Sequence, residues 1–378
     1  MSTKPQNSQR KTQDWLTLGV ETSCDETSCA VLDGKDRILS NVISSSLFRH
    51  KPFGGVVPEI ASRHALEQID TVFSEALSEA KVTPQQLELI AVTQGPGLIG
   101  SLLVGVSFAK ALGYAVGIPF VGVNHLEAHL AAVFIGNKAP ERFVGLLVSG
   151  GHTMLTLHEK GKVKILGATV DDAAGEAFDK VAKLLGLGYP GGPVVEREAK
   201  SGNAKAFLFT KPKQDNPYAF SFSGIKTAVL YEVRKERHGL RQGSVPGTRT
   251  QKSDLHGASG VMSETQPPLK ADFVRDMSAS FQTAVVGWLV EKAIKAAVDK
   301  QCSDIVIGGG VSANQYLRMQ LHDAGSKNGI RIHVPEKILA LDNAAMIARR
   351  GLEIFGQTRK TGAWTMTGVP DLKITAGV

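Results

Sequence analysis

Two histidines four residues apart, His125 and His129 in Asn124-His125-Leu126-Glu127-Ala128-His129-Leu130, are the residues in this chain best spaced to do chemistry. On a helix that spacing puts both imidazoles on one face, where they can bind one metal ion; two buried histidines hydrogen-bonded to backbone are the plain alternative. Glu127 sits between them, roughly 160° round the helix from either at 3.6 residues per turn. It therefore faces away. In the H-E-x-x-H arrangement of metallopeptidases the glutamate follows the first histidine directly and can act on a metal-bound water, so the peptidase reading is disfavoured. Two ligands are fewer than the roughly three that catalytic metal sites usually draw from the protein. The best third candidate is Asp342, at a loop-to-helix boundary in Leu341-Asp342-Asn343-Ala344-Ala345. It is equally well placed to be the N-cap of that helix.

Other stretches can hold a nucleotide or phosphate. Glu21-Thr22-Ser23-Cys24-Asp25-Glu26-Thr27 joins two apolar runs, and the N–H groups of such a turn can hold an anion. Gln94 to Ser101 is a glycine-rich loop opening a helix, which can bind an anion or simply pack closely. Ser149-Gly150-Gly151-His152-Thr153 is a second small-residue turn after a strand. Asp179 can hold a ribose hydroxyl, although a solvated helix carboxylate is the commoner fate of such a residue. Gly308-Gly309-Gly310 permits close backbone approach to a ligand, and Asn314 can read an adenine or ribose.

The elements that position these residues repeat. Strands are expected at Leu16–Glu21, Ser28–Leu32, Arg37–Ile43, Leu87–Thr93 and Phe120–Val123, with helices at Pro58–Ala80 and up to Val116. From Phe143 the strand, small-residue turn, strand, strand, helix pattern begins again, with strands at Phe143–Val148, Met154–His158 and Val163–Ala168 and a helix over Asp171–Leu187. Helices follow around Glu196, from Ser221 to near Lys235 and over Phe273–Lys300, with strands at Asp304–Ile307 and Ile332–Val334. Two occurrences argue for two related α/β lobes with a nucleotide site between them. The polar, partly basic stretch 236–271 lacks apolar period and is expected to be a mobile surface insertion, and 1–14 a disordered tail.

At 378 residues, 42% hydrophobic and 21% charged, the chain has the composition of a soluble globular protein with room for two cores. A net charge of +7 permits a polyanionic partner without requiring one. Cys24, Cys29 and Cys302 form no even framework and fit plain thiols in a reducing cytoplasm. The apolar stretch from Gly95 to Val123 is broken by Pro96, Pro119, internal glycines and Lys110. It reads as loop, buried helix and buried strand, not a membrane span.

Taken together, the Glu21–Thr27 turn, His125-x3-His129, Ser149–Thr153, the Asp171–Lys180 segment DDAAGEAFDK, Gly308–Asn314 and Asp342-Asn343 stand in the order found in the TsaD family. The chain resembles that family of tRNA threonylcarbamoyladenosine transferases from about Leu16 to Thr367. The resemblance implies the actin/Hsp70/sugar-kinase (ASKHA) fold, with two RNase-H-like lobes. These would be 15–142, completed by a C-terminal helix within 343–370, and 143–342. It implies transfer of a threonylcarbamoyl group from threonylcarbamoyl-AMP to N6 of the adenosine beside the anticodon, in tRNAs reading codons that begin with A. His125, His129 and Asp342 become the ligands of one divalent metal, iron or zinc. Leu147, Val148, Ser149, Gly150, Gly151, Asp179, Gly192, Glu196 and Asn314 become substrate contacts, and Asp25 or Glu26 the general base. Partner subunits are implied too, in bacteria a paralogue of the transferase and a small ATPase, as is a cytoplasmic location. Three features depart from the family pattern: Asn124 where bacterial relatives often have His, Leu341 where Thr is usual, and the long basic insertion. A sugar- or acetate-type kinase needs no paired histidines, and a non-catalytic scaffold would not need the metal set.

Overall fold

In the computed structural model, residues 15–238 and 268–374 are described. Two five-stranded mixed sheets dominate. The first contains β1 (Thr17–Glu21), β2 (Glu26–Leu32), β3 (Ile38–Ser45), β4 (Leu89–Gly95) and β5 (Phe120–Asn124), in the order β3-β2-β1-β4-β5. The second contains β6 (Arg142–Val148), β7 (Thr153–Glu159), β8 (Lys162–Ala168), β9 (Asp304–Gly308) and β10 (Arg331–His333), in the order β10-β9-β6-β7-β8. In both, the first three strands form an antiparallel meander and the last two add in parallel to the first strand's free edge. The repeat read from the sequence is thus a repeat of topology.

Helices cover the sheets because their apolar faces have nowhere else to go. On the first sheet, α1 (Pro58–Ala80) and α2 (Ile99–Val116) bury Ile69, Val72 and Val106 against Val20, Val31 and Val92. Among the described residues α2 alone is long and apolar enough to cross a membrane; it packs on α1 and β4. The seven-residue α3 (His125–Ala131) follows β5 directly. On the second sheet lie α4 (Ala174–Leu185), α5 (Gly191–Ala199), α6 (Ser223–Arg237), α7 (Ala271–Asp299) and α8 (Gln315–Lys327). Their core centres on Phe178, Phe222, Phe281 and Leu289. The last helix, α9 (Ala344–Thr358), returns to the opposite face of the first sheet, where Ala344, Ile347 and Ala348 meet Ala30, Leu89 and Val121.

Some boundaries differ from expectation. Glu236 and Arg237 belong to α6 and Ala271 opens α7, so the stretch read as an insertion is entered and left by helix. Residues 239–267 and the tail 1–14 lie outside the described residues. The helix expected over Asp171–Leu187 starts at Ala174, because Asp171 is occupied capping a different segment: its carboxylate accepts from the Phe222 N–H at 2.7 Å and from the Ser223 hydroxyl at 2.8 Å.

Candidate metal centre and cleft

The three residues expected to bind metal are brought together by two chain segments that end at one place. β5 delivers α3, whose N-cap Asn124 accepts from the Leu126 and Glu127 N–H groups at 3.0 and 3.3 Å. The helix then packs against β6, β9 and α9. Asp342 arrives from the segment before α9. It is not that helix's N-cap: Asn343 fills the role, accepting from the Met346 N–H at 3.1 Å. Asp342 is therefore free to point elsewhere. Its Oδ1 lies 3.1 Å from His129 Nε2 and 3.5 Å from His125 Nε2. One ligand atom from each of the three residues lies within 4.8 Å of the others.

A residue that sequence reading passed over completes the arrangement. Glu21 ends the apolar strand β1 and is fully buried. Its Oε2 meets His125 Nδ1 at 3.0 Å and accepts from the Thr93 hydroxyl at 2.6 Å. A carboxylate on Nδ1 fixes the ring and leaves Nε2 directed at the cluster, the usual outer support of a metal-binding histidine. A carboxylate closing a strand of otherwise apolar residues was the available signal. Burial is the largest single influence on the His125 ring and opposes its protonation. The Glu21 and Asp342 charges outweigh it, pushing the pKa up to about 9. Burial likewise works to raise the Asp342 carboxyl, and the histidines overcome it, bringing it down to about 2.

His129 is the test of whether a cation fits. It is 1% exposed, yet both its ring nitrogens lack a hydrogen-bond partner among the described residues. The 3.1 Å approach of Nε2 to Asp342 has the distance of a hydrogen bond without its alignment. An orphaned buried imidazole nitrogen carries a real cost, which a metal ion would remove. Two imidazoles and one carboxylate form a donor set suited to a borderline divalent cation such as iron(II) or zinc. Glu127, by contrast, bonds through Oε2 to Arg350 of α9 at 2.6 Å and takes no part.

Asp342 also lines an open cleft of about 590 Å³ between the two sheets. One wall is the β1–β2 turn with Ser23, Cys24 and Asp25, together with Gly97 and Leu98. The other is Ser149, Gly150, Gly151 and His152 with Glu176, Asp179, Lys180, Lys183 and Tyr189 of the second lobe. The two small-residue turns occupy corresponding positions in the topological repeat, after β1 and after β6. Asp179 Oδ1 accepts from the Gly191 N–H at 2.6 Å. Burial, with the charges of Asp25 and Glu176 adding, pushes its carboxyl up to about 6.

The other expected residues sit around this cleft, not in its lining. Glu26, at the start of β2, accepts from the Ser45 hydroxyl at 3.0 Å, and burial and Asp25 hold its carboxyl well above the usual range. Leu147 and Val148 are fully buried in β6. Gly192 lies in the first turn of α5, and Glu196 accepts from the Gln315 N–H at 2.9 Å, bracing α5 against α8. Asn314 caps α8 through the Leu317 N–H at 2.8 Å and donates to Gln282 at 2.9 Å. In the triple glycine the close approach is to the chain's own backbone. A Cβ on Gly309, whose φ is +90°, would stand 2.4 Å from the Val148 carbonyl oxygen.

A two-lobed α/β chain with repeated RNase-H-like sheets and a polar cleft between them has the ASKHA fold. The fold is seen also in two HypF crystal structures: the full-length protein in its phosphate- and nucleotide-bound form (TM-score 0.57, 14% identity) and that of T. kodakarensis (TM-score 0.57, 13% identity). Respectively 94% and 92% of this chain is covered, and 48% of each HypF chain. The family model described as tRNA N6-adenosine threonylcarbamoyltransferase matches residues 37–349. Proteins of that name from Thermosipho melanesiensis (46% identity, 91% of this chain and 96% of the relative) and Clostridioides difficile (44%, covering 96% and 99%) are similar over nearly their whole lengths. The relative from Thermodesulfovibrio yellowstonii is 47% identical, over 90% of this chain and 94% of its own. The chain belongs to the tRNA N6-adenosine threonylcarbamoyltransferase family and is a transferase acting on tRNA.

Proposed function

We propose that the chain transfers the threonylcarbamoyl group of threonylcarbamoyl-AMP to N6 of the adenosine beside the anticodon, in tRNAs reading codons that begin with A. The observation that carries this reading is the His125–His129–Asp342 cluster opening onto the cleft through Asp342, with a buried imidazole that has no aligned hydrogen-bond partner among the described residues. These three residues would hold one divalent ion, iron or zinc. Such an ion supplies Lewis-acid polarisation of the donor's oxygens and a fixed point for the donor.

The chain's own residues do the rest. Glu21 orients His125 and keeps its Nε2 toward the cleft. The turn at Ser149–Gly151 offers N–H groups to the donor's phosphate, with Leu147 and Val148 placing that turn from the core. Asp179, whose Oδ1 is held by the Gly191 N–H, accepts a ribose hydroxyl. Lys183 lines the cleft without an ion-pair partner among the described residues and faces the donor's anionic groups. Of the two candidate bases, Asp25 lines the cleft whereas Glu26 lies outside its lining with an oxygen engaged by the Ser45 hydroxyl, so Asp25 takes the proton leaving the N6 amine. Gly192, Glu196 and Asn314 shape the second lobe behind the donor. The acceptor amine is a poor nucleophile, its lone pair spread into the purine, so positioning has much to contribute. A paralogous subunit and a small ATPase support turnover in the cytoplasm.

The test is reconstitution. Purified protein, assayed for bound metal, is mixed with partner subunits, synthetic threonylcarbamoyl-AMP and unmodified tRNA. Modified adenosine and released AMP in equal amounts are expected, with no ATP hydrolysed in the transfer step. Phosphorylation of sugars or carboxylates, or peptide cleavage, with the tRNA untouched would overturn the reading.

A further inference from the structure

Residues 359–374 form no helix or strand, yet they run past β5, the loop before α2 and the two-histidine helix α3. The Gly362 N–H donates to the Phe120 carbonyl at 2.6 Å and the Val369 N–H to the Gln94 carbonyl at 2.8 Å. The Pro370 carbonyl accepts from the Gly97 N–H at 3.1 Å. Gly95 makes room for this crossing: its φ is +154°, and a Cβ there would stand 1.9 Å from the Val369 oxygen. The segment next reaches the metal helix, where Asn124 Nδ2 donates to the Leu372 and Lys373 carbonyls at 3.2 and 3.1 Å. Ile374, 9% exposed, then packs in one cluster with Leu126 and Leu130 of α3 and Val306 of β9.

Both ends of the Asn124 amide are therefore used, the oxygen to start α3 and the nitrogen to hold this strap. We infer that Asn124 and residues 369–374 form a positioning clamp, which sets the two-histidine helix relative to the Gly97–Leu98 wall of the cleft. Seven residues are too few to hold a helix in place by their own hydrogen bonds, so α3 takes its placement from its neighbours. The strap is the neighbour that also grips the cleft loop. Asn124 is a positioning residue, since it touches neither the expected ion nor the donor. The inference rests on the metal reading proposed above.

Asn124→Asp is the sharpest probe. It retains the oxygen acceptor that caps α3 and replaces the donor by an oxygen facing two carbonyls. The expected result is a loss of about tenfold in metal affinity, measured by chelator competition without tRNA, and of about tenfold in kcat. KM for tRNA should change less than about twofold, and the thermal midpoint should fall by a few degrees as the two carbonyls lose their donor. A chain ending at Val369 should reproduce both losses. Asn124→Asp in that shortened chain should cost about tenfold less than in the full chain, since the added charge is present in both backgrounds and cancels in that difference. Wild-type metal affinity and kcat in Asn124→Asp would overturn the clamp, as would losses that add in the double variant. Should the shortened chain fail to fold, Asn124→Asp alone decides. Because metal affinity is read separately, a protein that binds metal through the clamp but transfers nothing would sink the functional reading and leave the clamp standing.

Discussion

The two faces of α3 are built on opposite terms. On the front, the Nε2 atoms of His125 and His129 share the Asp342 carboxylate, and His129 has no aligned hydrogen-bond partner among the described residues. On the rear, Glu127 faces a separate cavity of about 470 Å³ and is paired with Arg350, which Glu353 also contacts at 3.1 Å. One helix of seven residues thus has an electrostatically settled back and an under-satisfied front. The difference teaches that the front is built to be completed by something from outside, whereas the rear contributes to folding.

The comparison breaks most easily at the front. His129→Ala and Asp342→Ala should each abolish stoichiometric metal binding and lower transfer by more than the 10–100-fold typical of outer-shell changes. Elemental analysis and the tRNA assay read the two effects together, and full metal content in both variants would remove the site. At the rear, Glu127→Ala leaves the half-buried Arg350 with Glu353 alone. It should cost about 2–3 kcal/mol in urea unfolding while the folded protein keeps its metal. Loss of metal at unchanged stability would mean the two faces are not separate. Glu21→Gln keeps the shape of the His125 support and removes its charge. A fall of about tenfold in metal affinity is expected by chelator competition, with a smaller change in stability.

The smallest effect concerns pH. His158 lines the rear cavity, stacks on Phe143 with ring centroids 4.3 Å apart, and accepts or donates to the Thr156 hydroxyl at 3.1 Å. Burial, with the Arg350 charge adding, holds its pKa well below the usual imidazole range. The folded ring stays neutral where the unfolded one, near 6.5, takes a proton. Its contribution to stability is thus whole above about pH 6.5 and is lost as pH falls below it, by at most about 1.4 kcal/mol per unit. Urea midpoints at pH 7.5 and 5.5 should fall further apart in the wild type than in His158→Gln. Equal separations would show that the ring is freely protonated in the fold.

Much of this was legible in the sequence because it rests on periodicity and punctuation. Pro58–Ala80 forms as read, from its first-turn proline to its last alanine. The doubled strand pattern becomes the doubled sheet order, and the spacing of His125 and His129 puts both on one face. What escaped depends on contacts between distant segments. Asp342 and Asn343 are equally good caps in isolation, and the fold decides that Asn343 takes the role. Asn314 offers an amide that any ligand can use, but Gln282, 32 residues away in the chain, already occupies it. Nothing in Gly95 or Gly309 announces that the backbone pressed against them belongs to the protein itself.

The return of α9 to the first sheet has a consequence for synthesis. On a ribosome the second sheet and its helices emerge whole before residue 344 is made, while the face of the first sheet carrying Ala30, Leu89 and Val121 waits uncovered. Domains generally fold as units in the order of emergence, and an apolar face left open during translation is prone to aggregate. The first lobe to begin is therefore the last to finish. Asp342 stands two residues before the helix that closes it, so a nascent chain gains the carboxylate that faces His125 and His129 just before that lobe can close.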